Sequence, residues 1–227
     1  MEFLFIGVLA TCFTMMVIIT KICRRLRQRH YEVPAPDMRK GHRWCMLDLF
    51  QQPTYCCISE QRIIEGAVCY SCGICVSDQN ASIANKRLRC KEPSNEAADG
   101  LSRHHWVRGN LPSGSRCSSC AETCGDRMQL CDLRCCWCMS TVHDQCRASV
   151  DDVCDLGPYR ESIVPPGCLR LKLVGVKGRR RLVVESVRDP GLAGWRPLII
   201  MANRKSGNGD AEHILQAFRG LLNPVQV

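Results

Sequence analysis

HHWVRGNLPSGSRCSSCAETCGDRMQLCDLRCCWCMSTVHDQCRASVDDVC, residues 104–154, decides how the rest of the chain is read. Its spacing is H-x12-C-x2-C-x14-C-x2-C-x4-H-x2-C-x7-C, falling on His104, Cys117, Cys120, Cys135, Cys138, His143, Cys146 and Cys154. Eight such side chains make two tetrahedral sites, which is what structural zinc requires. Each short C-x2-C step puts two thiolates on one tight turn, and the long gaps bring the other ligands from afar. Sixteen of the 19 cysteines lie between Cys45 and Cys154. That density means either a disulfide framework or clustered metal ligands, and the redox compartment decides between them.

The compartment is read from the N-terminus. Phe3 to Thr20, FLFIGVLATCFTMMVIIT, carries no charge and is followed by Lys21, Arg24, Arg25, Arg27 and Arg29. About 18–20 helical residues cross a hydrocarbon core of about 30 Å. No basic region precedes the apolar run and no small-residue cleavage signal follows it, which argues against a signal peptide. The expectation is a transmembrane anchor over 1–23 and a basic juxtamembrane linker over 24–41. A membrane hairpin is the structural alternative. The positive-inside rule leaves the remainder in the cytosol, where reducing conditions favour metal-bound thiolates over disulfides. The net charge of +9, concentrated in that run, points to anionic lipid before nucleic acid. Basic segments lacking interleaved aromatic platforms exclude a nucleic-acid partner.

The spacing in 104–154 resembles the phorbol-ester/diacylglycerol-type zinc module, and Trp106, two residues after His104, also fits that family. The resemblance implies interleaved ligands: His104, Cys135, Cys138 and Cys154 at one site, Cys117, Cys120, His143 and Cys146 at the other. Residues 42–90 repeat the pattern imperfectly. His42 with Trp44, Pro53-Thr54 before Cys56, and Gly66 before Cys69 and Cys72 match, and Cys90 closes the unit. Sorted the same way, His42, Cys69, Cys72 and Cys90 complete one site. The other falls on Cys56, Ser59, Ser77 and Asn80, of which only the cysteine is a competent zinc ligand. Cys57 or Cys75 would substitute only with a backbone shift. The expectation is one zinc in the first module and two in the second, about three in all. Modules this small need metal to fold, so the segment from Cys56 to Ser59 is expected to be loose. The family's lipid-binding members hold their loops apart with a Gln-Gly pair; here those positions read Glu65-Gly66 and Cys131-Asp132. A structural or docking role for the modules is therefore favoured over diacylglycerol capture.

Beyond Cys154, Pro158, Pro165 and Pro166 mark a linker over 155–194, and Leu169 to Ser186 alternates apolar and basic residues as a solvated hairpin does. Leu198 to Ala202 suits a buried strand. Asn203 to Gly209 is a glycine-bearing turn, and Asp210 suits the cap of a helix with Ile214, Leu215, Phe218, Leu221 and Leu222 at helical spacing. A strand, turn and helix N-terminus can cradle phosphate, although no G-x-x-x-x-G-K-[ST] is present.

Pro197-Leu-Ile-Ile, Asn203-x-x-Ser206-Gly207 and Phe218-Arg-x-Leu-Leu-Asn-Pro-x-Gln-Val227 are similar to the opening of diacylglycerol kinase catalytic domains. Anchor, two zinc modules and this opening, in this order, look most like the epsilon type. The fold class expected is multi-domain: a transmembrane helix, two zinc-stabilised α+β modules at 42–90 and 104–154, and the first βα unit of an α/β lipid-kinase domain at 195–227. The resemblance implies ATP-dependent conversion of diacylglycerol to phosphatidic acid with Mg2+, membrane diacylglycerol and anionic lipids as partners, and Asn203, Ser206 and Gly207 near the nucleotide phosphates. It also implies the endoplasmic reticulum, with the plasma membrane as the alternative. No G-G-D-G segment occurs, so no catalytic residue is assigned and the chain alone is expected to be inactive. The competing reading is a non-catalytic, membrane-anchored zinc protein that binds lipid or protein partners.

Overall fold

The computed structural model describes residues 11–22, 41–95, 100–175, 181–203 and 210–227. Residues 11–22 form helix α1, on which Phe13, Met15, Met16, Ile18 and Ile19 are all more than half exposed. Among the described residues no helix is long and apolar enough to cross a membrane. Residues 1–10 and 23 of the expected anchor, and the basic residues of the linker behind it, lie outside the described residues.

The two cysteine-rich segments share one plan. The first comprises β1 (Trp44–Leu47), β2 (Thr54–Tyr55), β3 (Arg62–Ile63), β4 (Gly66–Cys69), β5 (Cys75–Val76) and helix α2 (Ala81–Arg87). The second comprises β6 (Trp106–Arg108), β7 (Leu133–Cys135) and β8 (Thr141–Val142). Each builds an antiparallel three-stranded sheet, in the orders β1-β4-β5 and β6-β7-β8. Even the register repeats: Trp44 faces Cys69 as Trp106 faces Cys135, and Val68 faces Cys75 as Arg134 faces Thr141. Strands of two to four residues are too short to hold a sheet without a further constraint.

One core runs through both modules. Trp44, Cys69 and Val76 of the first pack with Val107, Trp137 and Cys154 of the second, and with Ile163 and Leu222 from beyond them. Polar contacts reinforce the join: the Asn110 amide donates to Tyr55 O at 2.7 Å and accepts from Tyr55 N at 2.8 Å. The two cysteine-rich segments are packed together.

The linker contains the expected hairpin, β9 (Leu169–Val174) paired with β10 (Arg181–Val187), with a bulge between Val184 and Ser186. Helix α3 (Asp210–Leu221) also forms as its spacing predicts. The strand expected at Leu198 to Ala202 does not. This stretch is irregular, with Met201 90% exposed, because no neighbouring strand offers it a ladder. It is held instead by Leu198 N donating to Ser162 O at 3.0 Å and Ile200 N to Gln226 O at 2.7 Å.

After α3, the chain turns at Asn223, which caps the short 3-10 turn Pro224–Gln226 in a reciprocal capping box. The two amides are buried and fully engaged. Asn223 Nδ2 donates to Pro93 O at 2.7 Å and Val164 O at 2.9 Å. Gln226 Nε2 donates to Ser162 O and Leu198 O at 2.8 and 2.6 Å, and its Oε1 accepts from Val164 N at 2.7 Å. These bonds fix the end of the C-terminal helix to Pro93, between the modules, and to the segment 162–164 that follows the second.

Candidate metal centres

Three groups of one histidine and three cysteines converge: His42, Cys69, Cys72 and Cys90; His104, Cys135, Cys138 and Cys154; and Cys117, Cys120, His143 and Cys146. Within each, the ligand atoms all lie within 4.8 Å of one another. These are the sets that the family resemblance implied, and Cys56 joins none of the groups found among the described residues. A tetrahedral zinc with Zn–S of about 2.3 Å and Zn–N of about 2.0 Å needs S···S edges of about 3.8 Å and S···N edges of about 3.5 Å. The first group shows Cys69 Sγ to Cys90 Sγ at 3.6 Å and Cys72 Sγ to His42 Nδ1 at 3.3 Å. The second shows 4.0 Å between Cys135 and Cys154 Sγ, and 3.5 Å from Cys138 Sγ to His104 Nδ1. In the third, His143 Nδ1 lies 3.4 Å from Cys120 Sγ and 3.8 Å from Cys146 Sγ. The donor sets fit the ion.

Local structure presents these atoms. Each C-x2-C pair sits on a knuckle whose first backbone N–H and carbonyl are both used. In the first module Cys69 N donates to Ile74 O and Gly73 N to Cys69 O; in the second, Cys135 N donates to Ser140 O and Met139 N to Cys135 O. Gly73 and Met139 both adopt positive φ, at 83° and 64°. Glycine suits the first, where a Cβ would displace the end of the Arg134 side chain, while Met139 shows that a side chain can occupy the equivalent turn. The histidines are aimed by their other nitrogen: His42 Nε2 bonds Leu88 O at 3.1 Å and His143 Nε2 bonds Thr123 O at 3.0 Å. A carbonyl partner fixes the tautomer that leaves Nδ1 free for metal. Trp44 and Trp106 pack on His42 and His104 with centroids 4.8 and 4.7 Å apart. Asn85 Oδ1 pins the first pair, accepting from His42 N at 2.9 Å and Trp44 Nε1 at 3.0 Å.

Electrostatics argue for a cation at the first two centres. Hydrogen bonds from Cys138 and Cys154 bring the Cys135 thiol down to about 3. Its ionised sulfur in turn pushes Cys154 far up. In the first group burial opposes ionisation, yet bonds from Cys72 and Cys90 still hold Cys69 well below the usual thiol range, and Cys72 and Cys90 are raised. One thiolate is tolerated, and a second or third needs a positive ion among them.

Cys56 shows what replaces the missing fourth site. In the segment expected to be loose, Cys56 is buried and hydrogen-bonded, Cys57 and Ile58 are half-buried, and Ser59 is exposed. Cys56 N donates to Gln61 O and Glu60 N to Cys56 O, the same two bonds that Cys117 and Ala121 make at the metal-competent knuckle of the second module. Cys56 Sγ accepts from Ser77 N at 3.4 Å and Asn80 Nδ2 at 3.3 Å, and Asn80 Nδ2 also reaches Ser77 Oγ at 2.9 Å. Burial pushes this thiol up, but hydrogen bonds from Ser59, Ser77 and Ile58 outweigh it and bring it to about 6. The Asn80 amide, a poor zinc ligand, and the Ser77 backbone N–H both donate to the lone sulfur, and that keeps the fold. Cys57 and Cys75 lie together, Cys57 N donating to Cys75 O at 2.9 Å, and both thiols are raised by burial.

Residues 104–157 match the family model for the phorbol esters/diacylglycerol binding domain, the C1 domain. This part of the chain is similar to a C1 module. Over longer stretches the chain is similar to diacylglycerol kinases. It is 31% identical over 216 residues to diacylglycerol kinase eta of Drosophila melanogaster, covering 90% of this chain and 11% of that protein. The eta enzyme of Drosophila grimshawi is 31% identical over 204 residues, 84% of this chain and 10% of its own. Human diacylglycerol kinase kappa is 41% identical over 129 residues, 55% of this chain and 10% of its own. The chain thus spans about a tenth of the length of these curated relatives. They are of the eta and kappa types, so the relationship supports the kinase family without singling out the epsilon type.

In the second module the two loops 109–116 and 121–132 are closed on each other. Gly109 N donates to Asp132 O at 2.9 Å, and a Cβ at Gly109 would lie 2.4 Å from Leu130. Leu111 packs against Gly125 from the other side. The Asp132 carboxylate accepts from Gly125 N at 2.8 Å and Asp144 N at 3.3 Å, tying the loop to the turn after His143. The first module differs. Leu49 and Ile64, beside the contact from Phe50 N to Ile64 O, are 65% and 69% exposed. Asn203 is exposed, and Ser206 and Gly207 lie outside the described residues. Sequence reasoning passed over Asn85, Lys91 and Asn110, and it named Asp132 only as a departure from the family's Gln-Gly pair. Asn223 and Gln226 entered the sequence reading only as part of the resemblance to a kinase opening, and neither their capping box nor their long-range partners were read there.

Proposed function

We propose that this chain is the N-terminal part of a membrane-bound, ATP-dependent diacylglycerol kinase of the epsilon type, converting diacylglycerol to phosphatidic acid at the endoplasmic reticulum. The observation that carries this reading is the join between the zinc modules and the Asn223–Gln226 segment. A similarity to diacylglycerol kinases covering 90% of the chain runs through a unit whose zinc modules and kinase-like opening share one core. Zinc in the three Cys3His groups supplies rigidity, and it takes no part in phosphoryl transfer. Residues 1–23 anchor the chain, a reading supported by the exposed apolar surface of α1.

The modules act chiefly as a platform. Leu111 and Leu130 occupy the space between the C1 loops, and Asn110 of the same loop is committed to Tyr55. The apolar tip formed by Leu49 and Ile64 faces the bilayer and orients the unit. Asn203, Ser206 and Gly207 approach the ATP phosphates, with Mg2+, in the complete enzyme. The test is to precipitate the protein from its source membranes with an antibody against this chain and supply labelled ATP with diacylglycerol. Labelled phosphatidate is expected; its absence from active, zinc-loaded material would overturn the proposal. Alkaline extraction should leave the chain in the membrane unless residues 3–20 are deleted.

A further inference from the structure

We propose that Lys91 is a shared counter-ion for the first two metal centres, placed between them to quench the excess negative charge of their thiolates. Lys91 directly follows Cys90, a ligand of the first centre. It is 1% exposed. Its Nζ lies 4.4 Å from the ring centroid of Trp137, and Trp137 stands between Cys135 and Cys138 of the second centre. The same ammonium donates to Gly220 O at 2.9 Å, in the last turn of α3.

A buried ammonium is costly unless it is paired. Among the described residues no carboxylate forms a salt bridge with Lys91. The carbonyl and the indole face supply partial charges only. The missing charge comes from the centres themselves. Three thiolates around a dication leave one net negative charge, so centres 1 and 2 each present an anion to the core. The third centre carries the same charge at the surface, where Cys120 is exposed and water does the screening. Nature has thus left an internal control in the same chain. The inference rests on zinc filling these centres and stands whether or not the chain belongs to a lipid kinase.

Thiolate nucleophilicity reads the local charge directly. The full chain, zinc-loaded and held in lipid nanodiscs, is treated with a neutral and a quaternary-ammonium methanethiosulfonate, and each cysteine is followed by peptide mass spectrometry. Lys91→Met should raise the rate at Cys69, Cys72, Cys90, Cys135, Cys138 and Cys154 by roughly tenfold, as expected for losing one charge-assisted contact. The cationic reagent should gain more than the neutral one. Cys117, Cys120 and Cys146 should keep their wild-type rates, and Lys91→Arg should stay near wild type at all nine. Trp137→Leu, which keeps the ammonium, should raise both reagents alike. Equal gains for the two reagents in Lys91→Met, gains at all nine cysteines, or no gain would each overturn the counter-ion role. A zinc content below two in the wild type would instead overturn the metal assignment itself.

Discussion

Replacing Asn223 by alanine should release α3 and the segment behind it from the zinc modules. Asn223 is 0% exposed, and its side chain satisfies three backbone groups: Pro93 O, Val164 O and Val225 N. Alanine removes all three bonds and leaves a space bounded by Pro93, Val164 and the capping turn. Each buried group left without a partner costs about 1–3 kcal/mol. Allowing for partial access by water, the loss should be about 3–6 kcal/mol, a large share of the roughly 5–15 kcal/mol that holds an ordinary domain together. The loss falls on one joint, so it should appear as local opening. Native-state hydrogen exchange on the zinc-loaded full chain is the assay. Peptides covering 215–227 and 158–168 should lose protection by about a hundredfold to ten-thousandfold. Peptides covering the third metal centre should not change. Asn223→Asp should be at least as damaging, because it sets a carboxylate against two carbonyls. A fall in protection below about tenfold for Asn223→Ala would refute the view that this amide closes the unit.

Metal analysis of the full chain should give three zinc ions, and Cys146→Ser should lower the count by one while the two buried centres stay filled; four ions would mean that Cys56 recruits a partner. Gly66→Ala should cost about 2–4 kcal/mol in urea unfolding, because its Cβ would lie 2.3 Å from Val76 O across the β4–β5 pair; a wild-type midpoint would contradict the close packing. Cys56 predicts a pH dependence. Its thiol is lowered to about 6 in the folded state, so its contribution is fully present above the ordinary thiol range and is lost as pH falls through about 6. The stability gap between wild type and Cys56→Ala should therefore be wider at about pH 9 than at about pH 5; a gap that widens on acidification would reverse the sign.

Ligand identity was readable because tetrahedral metal binding constrains residue type and spacing together. The spacing from His104 to Cys154 named eight candidate ligands, and the family resemblance sorted these and the damaged repeat at 42–90 into the sets that lie together in space. Helix α3 and the β9–β10 hairpin were readable from apolar periodicity. The strand expected at Leu198 to Ala202 was misread for a physical reason: a short apolar run states a preference for burial, while a strand also needs a neighbour to bond. The order around Cys56 was misread because the sequence shows lost ligands and hides the hydrogen bonds that serve one sulfur. The single core was invisible for a related reason. Tyr55 with Asn110, and Pro93 with Asn223, meet through backbone groups that every sequence possesses.

The contact between Asn223 and Pro93 joins residues 130 positions apart, and this sets a timetable for synthesis. Both cysteine-rich segments leave the ribosome before Asn223 exists, at speeds of about 5–20 residues per second. For on the order of ten seconds, their thiols are available to zinc while the surface that will receive α3 stands open. The nascent chain therefore passes through a stage in which metal is bound but the platform is unsealed. A chaperone or a membrane surface that shields that face during this interval would protect the chain from aggregation, and translation slowed between Pro93 and Asn223 would prolong its exposure.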